Sequence, residues 1–129
     1  MARRTKRAHL GPSQRQLRVG ELLRAALVEA LARGHLRDPA LQGVTITVTQ
    51  VRLSPDLRHA KAYIMPLGGV HADEVIPALN RAASYLRHEV DRRVELRASP
   101  ELRFELDQTF EEASRIEALL RQTPPGAHD

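Results

Sequence analysis

Most of the side chains in this sequence that could bind an anion are arginines, and they are distributed unevenly along the chain. Eighteen of the twenty basic residues are arginine. Residues 1–37 carry nine Lys and Arg against two acids, whereas residues 98–129 carry three against seven. The guanidinium group forks onto phosphate, and such a charge gradient is typical of a protein that turns one side towards a polyanion. Genomic base composition produces the same excess of arginine over lysine, so this excess alone does not establish a nucleic-acid partner.

The first twelve residues are basic and almost free of apolar side chains. They cannot bury enough surface to offset the entropy of ordering, so residues 1–12 are predicted to form a disordered arm. Two interpretations stay open at this point, an arm that settles on nucleic acid and a solvated tail. The cations concerned are Arg3, Arg4, Lys6 and Arg7.

Catalytic chemistry has little support in the sequence. The chain has no cysteine, and its six histidines are dispersed without metal-ligand spacing. His59 follows Asp56 closely, but no activated nucleophile accompanies them, so a structural strand histidine is the better interpretation. Asp107, Glu111 and Glu112 provide acids on a segment predicted to be surface or flexible. We expect no enzyme activity, cofactor, metal or small-molecule substrate, and rank a hydrolase or nuclease last.

The four aromatic residues are scattered along the chain. RNA-binding sheets that stack bases need two or three aromatics on one strand face. Contacts to a nucleic acid are therefore expected to involve its backbone and shape. The four residues are Tyr63, Tyr85, Phe104 and Phe110.

The N-terminal half predicts one helix and a hairpin. Ser13 with Gln16 forms a capping-box signature, and Gly34 suits the position just past the helix end. Residues 44–51 and 59–65 are predicted strands, separated by the Ser-Pro-Asp turn at 54–56, which favours an antiparallel hairpin. In the first strand, the threonines should face outwards. The inner stripe of the helix is predicted to contain Val19, Leu22, Leu23, Ala26, Leu27 and Ala30, and Leu17 is assigned to the core as well.

Residues 72–107 predict two helices, a joint of small residues and one strand. Asp73 is the expected cap of the first helix, because Pro77 is tolerated only near a helix start. The joint is residues 82–84, Ala-Ala-Ser, and the second helix should begin near Tyr85. Alternation after residue 101 predicts a strand. The apolar positions are Leu79, Ala82, Ala83, Leu86, Val90 and Val94 in the helices, and Leu102, Phe104 and Leu106 in the strand.

Three regions follow from this pattern: a basic arm at 1–12, a domain at 13–107 and an acidic C-terminal extension at 108–129. The extension contains a short helical pattern with Ile116, Leu119 and Leu120 and a flexible end. No run of residues is long and apolar enough to span a membrane. A reducing, cytoplasmic setting and a monomer without membrane contact are expected.

The element order, helix-strand-strand-helix-helix-strand, matches an α+β fold of the type II KH class, with a three-stranded sheet and helices on one face. KH domains clamp a nucleic-acid backbone with a Gly-x-x-Gly loop between the two central helices. Here an Ala-x-Ser joint at 82–84 stands in that place. The usual clamp therefore does not carry over directly.

The sequence resembles bacterial ribosome-binding factor A over about residues 14–120. Four ordered segments carry the resemblance: VGELL at 19–23, VTQVRLSPDLRHAKAY at 48–63, LNRAASYLR at 79–87 and LRASPELRF at 96–104. The family has an Ala-x-Gly joint, and Ser84 takes the glycine position in this chain. Serine lacks the freedom of glycine at positive φ, so the bend is expected to be made differently, with the Ser84 hydroxyl available for contact.

The resemblance implies a non-enzymatic assembly factor that binds the small ribosomal subunit and its rRNA. It also implies assistance in late rRNA processing, departure before translation and a role in cold adaptation. The RNA-facing surface would centre on the joint and the second central helix, with Arg58 and Lys61 extending it. Its members there would be Arg81, Ser84, Arg87, His88, Arg92, Arg93 and Arg97.

Two alternatives compete with this interpretation. The spacing of Arg87 and Asp91, and of Arg93 and Glu89, is that of ordinary ion pairs on a helix surface. Because such pairing would occupy Arg87 and Arg93, Arg92 is favoured as the RNA contact. The chain as a whole is alternatively a protein-interaction module that docks through the C-terminal helical pattern. Removal of residues 1–12 should weaken RNA association and spare a protein contact.

Overall fold

The computed structural model describes residues 11–33, 36–67, 71–109 and 116–120. Residues 1–10 of the predicted basic arm, Gly34, and the acids at 111 and 112 lie outside the described residues. Residues 116–120 are helical. The elements in chain order are α1 (Gln14–Arg33), a 3₁₀ turn (Pro39–Leu41), β1 (Ile46–Leu53), β2 (His59–Pro66), α2 (Ala72–Arg81), α3 (Ala83–Asp91) and β3 (Glu101–Leu106).

The three strands form one mixed sheet in the order β1-β2-β3. β1 and β2 form the expected antiparallel hairpin, and β3 pairs with β2 in parallel. Helices α1, α2 and α3 pack on one face, where Val48, Ala62 and Phe104 are buried. The α+β architecture of the type II KH class, with helices on one face of a three-stranded sheet, is therefore confirmed.

α1 begins as its capping box predicts. The backbone N–H of Ser13 donates to Gln16 Oε1 at 2.7 Å, and the Gln16 N–H donates to Ser13 Oγ at 3.1 Å. The buried side of α1 includes Gly20, which the sequence pattern did not select. The helix is rotated so that Gly20 contacts β1, and Leu17 and Leu22 are 58% and 47% exposed. Their assignment to the core was wrong for this reason.

A bulge in β1 changes the phase of its side chains. The register with β2 shifts between Val48 and Gln50, so Thr49 is the extra residue. Val48 and Val51 both face the core in consequence, although they are three apart. β1 also begins two residues later than predicted and continues to Leu53, because Leu53 still pairs with Ala60 before the turn.

α2 begins one residue before the predicted cap. His71, with φ 60° and ψ 24°, precedes the helix, and its carbonyl accepts from the N–H groups of Glu74 and Val75. Asp73 therefore lies in the first turn, where a carboxylate still favours the helix dipole. Pro77 is the sixth residue of α2 rather than a first-turn residue.

The joint between the central helices is a single residue, Ala82. Its backbone has φ −91° and ψ 6°, a conformation open to any residue. The Ala82 N–H still donates to the carbonyls of Ala78 and Leu79, while its own carbonyl accepts from Leu86 at 2.9 Å. Ser84 is inside α3, so the bend requires no glycine there, and α3 begins two residues earlier than predicted.

Candidate nucleic-acid interface

The exposed side of α3 presents a stripe of polar side chains at helical spacing. Ser84 and His88 in α3, and Arg92 at its C-cap, follow one another four residues apart and are all exposed. Residues at this spacing share one face of a helix. Arg92 Nη1 lies 3.3 Å from Glu89 Oε2, but 65% of the Arg92 side chain is exposed. We call these three residues the α3 stripe; its geometry suits contact with an extended anion.

Arg81, just before the joint, is held by Asp38, the acid that caps the 3₁₀ turn. Its Nε and Nη2 donate to Asp38 Oδ2 at 3.0 and 2.8 Å. The Ala40 N–H and the Arg81 guanidinium hold the pKa of Asp38 below its usual range. The guanidinium remains largely exposed. Arg81 therefore joins α2 to the 3₁₀ turn while still facing solvent.

Arg87 is engaged by the segment that leads into β3. Its Nε donates to Ser99 Oγ at 2.8 Å and its Nη2 to the Ser99 carbonyl at 2.5 Å. These contacts replace the pairing with Asp91 that the spacing suggested. Within the structure described, Arg87 connects α3 to the β3 entry.

Arg93 lies against two glutamates between α3 and α1. Nη1 donates to Glu89 Oε1 at 2.9 Å, and Nε lies 3.5 Å from Glu29 Oε1. Only 21% of its side chain is exposed. The helix-surface pairing of Arg93 with Glu89 is confirmed. Arg93 therefore offers little surface to a ligand.

Replacing Glu89 with Gln is expected to flatten the loss of stability in acid. The Arg93 guanidinium, with help from Arg92, holds the Glu89 pKa below its usual value. A lowered pKa stabilises the fold above the unfolded-state pKa, about 4.3, and that contribution disappears as the pH falls through the folded-state pKa. Melting temperatures measured across this acid range should therefore fall less steeply for Glu89→Gln.

The matched control is Glu95→Gln, which removes an exposed carboxyl from the segment after α3. Its acid dependence should follow that of the unmodified chain. Equal acid dependence in the unmodified chain and Glu89→Gln would contradict the role assigned to the Glu89–Arg93 pair.

The remaining predicted cations do not all share one side of the sheet. Arg97 is exposed in the segment after α3, and Arg58 is exposed in the turn before β2. The Arg58 carbonyl accepts from the Glu101 N–H at 2.8 Å, so the turn lies beside the start of β3. Lys61 points away from the helices and pairs with Glu105 at 3.3 Å. Lys61 therefore cannot extend the α3 stripe directly.

Asp107 is not a surface acid. It is 4% exposed, and one carboxylate oxygen accepts a hydrogen bond from the Thr49 hydroxyl in the bulge. The other oxygen accepts from the Thr109 N–H at 3.0 Å. The expectation that this acid lies on a surface or flexible segment was wrong, because the β1 bulge provides a polar partner that the sequence spacing did not reveal.

The described residues form neither a metal-ligand cluster nor a membrane span. Among them, no group of three or more His, Asp or Glu side chains converges as metal ligands would. None of the described helices has the length and apolar character needed to cross a membrane.

The fold and the α3 stripe define an α+β protein of the type II KH class with a basic, glycine-free joint region. The family model described as ribosome-binding factor A matches residues 15–120. The chain belongs to the ribosome-binding factor A family. Its resemblance to that family, expected from four sequence segments, is thereby confirmed.

Relatives and solved structures agree with this assignment. Ribosome-binding factor A of Phenylobacterium zucineum is 58% identical over 109 residues, covering 84% of this chain and 75% of the relative. The crystal structure of ribosome-binding factor A from Thermus thermophilus superposes with a TM-score of 0.60 at 31% identity, covering 70% of this chain and 94% of that one. A Thermus thermophilus homology model, fitted into the cryo-EM map of a 30S–RbfA complex, has a TM-score of 0.55 at 30% identity, covering 69% and 91%.

Proposed function

We propose that this chain is a non-enzymatic assembly factor that binds the small ribosomal subunit through its rRNA. In this role it assists late maturation and rRNA processing, including in the cold, and leaves before translation. The observation that carries the proposal is the family match over residues 15–120. A relative with the same fold, fitted into the map of a 30S complex, supports the choice of subunit. The proposed setting is the cytoplasm, and the proposed acting form is a monomer.

The α3 stripe supplies the central RNA contact in this proposal. His88 on α3 and Arg92 at its C-cap face solvent, and Arg97 follows them. Arginine binds phosphate oxygens as a charge-assisted donor, the His88 ring adds a hydrogen-bonding group, and the Ser84 hydroxyl adds a donor near the joint. Arg81 contributes from its position beside Asp38, while Arg87 and Arg93 principally position α3. The basic arm, with Arg3, Arg4, Lys6 and Arg7, adds sequence-independent attraction.

The double variant Arg92→Gln/Arg97→Gln is expected to weaken binding to small subunits and to reduce its salt dependence. Each phosphate contact that is lost lowers the slope of log affinity against log salt by about 0.7–0.9. The measurement is co-sedimentation with purified small subunits at several salt concentrations. Arg18→Gln/Arg33→Gln, which removes two exposed charges from α1, is the matched control. If both double variants had the same slope of log affinity against log salt, a specific role for Arg92 and Arg97 in RNA binding would be contradicted.

A protein-docking role is the second candidate. Ile116, Leu119 and Leu120 are 54%, 57% and 70% exposed on a helical segment, and exposed apolar side chains are common at protein interfaces. Changing Ile116 and Leu120 to Ser separates the two functions. If subunit binding persists at every salt concentration while a ribosomal or assembly protein is no longer retained, the segment is a protein contact. If RNA binding falls with unchanged protein retention, this second function is rejected.

A further inference from the structure

The face of the sheet that the helices leave uncovered carries three cations in one row across the strands. Arg52 of β1 is the register partner of Lys61 in β2, and Lys61 is the register partner of Arg103 in β3. Register partners in a sheet point to the same side. Both arginines are exposed, and Lys61 is half-buried between them. We call these three residues the sheet cation row.

The row is electrostatically unfavourable in the free protein. Like charges directly opposite one another on neighbouring strands destabilise a sheet. Lys61 forms an ion pair with Glu105, with Nζ 3.3 Å from Oε2, and this pair offsets the repulsion at Lys61. Among the described residues, no carboxylate lies within 4.0 Å of Arg52 or Arg103, so the two outer charges lack an acidic partner. A bound anion would remove this repulsion.

The surroundings of the row prepare it for an extended anion. Arg52 donates from Nε to Gln50 Oε1 at 3.3 Å, and its guanidinium carbon lies 5.7 Å from the centre of the Tyr63 ring. These contacts fix the direction of one cation. A second acid on this face, Glu101, lies 3.3 Å from His59. The row therefore borders an open depression whose two nearby acids already have basic neighbours.

We propose that the open sheet face is a second RNA-backbone contact, in which Arg52, Lys61 and Arg103 bind phosphate groups. This inference rests on the proposed function, because it assumes that rRNA is the ligand. A polyanion with regularly repeated charges engages several cations of the row together, whereas a single carboxylate engages one. Since the α3 stripe lies on the helix side and the row on the opposite side, the protein is placed between two RNA segments.

The test compares three double variants, together with Arg92→Gln/Arg97→Gln, in co-sedimentation with purified small subunits across a salt series. Arg52→Gln/Arg103→Gln is expected to lower affinity roughly tenfold and to reduce the salt slope by about 1.4–1.8. Arg18→Gln/Arg33→Gln is the charge-matched control and should change the slope little. Arg52→Lys/Arg103→Lys keeps the charges and should retain most of the slope. The melting temperature of the Gln variant should be unchanged or raised, because its loss of charge relieves repulsion.

Each outcome of this test either supports or rejects the sheet-face contact. If only Arg92→Gln/Arg97→Gln weakens binding, the sheet-face contact is rejected and the proposed function stands. If the unmodified chain does not bind small subunits, the proposed function fails and the sheet-face contact fails with it. A lowered melting temperature for Arg52→Gln/Arg103→Gln would assign the row a structural role instead. Weaker binding with an unchanged salt slope would indicate a protein partner on this face and overturn the proposal.

Discussion

Replacing Asn80 with Ala is expected to destabilise the protein by about 2–4 kcal/mol. The Asn80 side chain, on α2, accepts from the Phe104 N–H at 2.8 Å and donates to the Phe104 carbonyl at 3.0 Å. β3 is an edge strand of the sheet that the described residues form, so these two bonds occupy the side of β3 opposite β2. Alanine would leave both buried backbone groups without a partner, and each such group costs about 1–3 kcal/mol.

Thermal unfolding checks this prediction, with an expected fall in melting temperature of roughly 8–16 °C. Asp73→Ala, at an exposed position on the same helix, is the control and should change stability by less than about 1 kcal/mol. Amide hydrogen exchange should accelerate more in β3 than in β1, because β3 loses its hydrogen bonds to Asn80. Unchanged stability in Asn80→Ala would show that the two bonds contribute nothing net.

Replacing Gly20 with Ala is expected to destabilise the protein by about 1–3 kcal/mol, although alanine is the better helix former. A Cβ atom on Gly20 would lie 2.5 Å from the carbonyl oxygen of Val51. That oxygen belongs to the backbone of a paired strand, so it cannot rotate away as a side chain does. α1 would have to move off β1, which would weaken the packing of Leu23 and Leu27 against the sheet.

Urea unfolding separates this effect from helix propensity. Ala25→Gly, at an exposed position on α1, should cost only the propensity difference of about 0.5–1 kcal/mol. Gly20→Ala should cost more than that control, although its propensity contribution has the opposite sign. A Gly20→Ala variant that is as stable as the unmodified chain would show that α1 does not approach β1 so closely.

Local patterns predicted the elements of this fold well. The capping box at Ser13 and Gln16, the hairpin and the break between the central helices all follow from short-range chemistry that the sequence displays directly. The rotation of α1 could not be predicted from the sequence pattern. Gly20 has no side chain, so it is not counted among the apolar residues that define the stripe. Leu22 was consequently assigned to the core in its place.

The site was harder to predict, because its composition depends on strand register and on partners distant in sequence. Nothing near Arg87 indicates Ser99, and nothing near Arg81 indicates Asp38. Lys61 was predicted to extend the helix surface, but alternation along β2 places it on the opposite face. The sheet cation row was missed because it requires the bulge and the parallel pairing of β3, neither of which has a local signal.

Co-sedimentation of the full chain with purified ribosomal subunits tests whether the chain binds the small ribosomal subunit through rRNA, as we propose. We expect binding to small subunits and not to large ones at low salt, with an affinity that falls steeply as salt is raised. Absence of binding to small subunits at low salt, or equal binding to both subunits, would contradict this proposal.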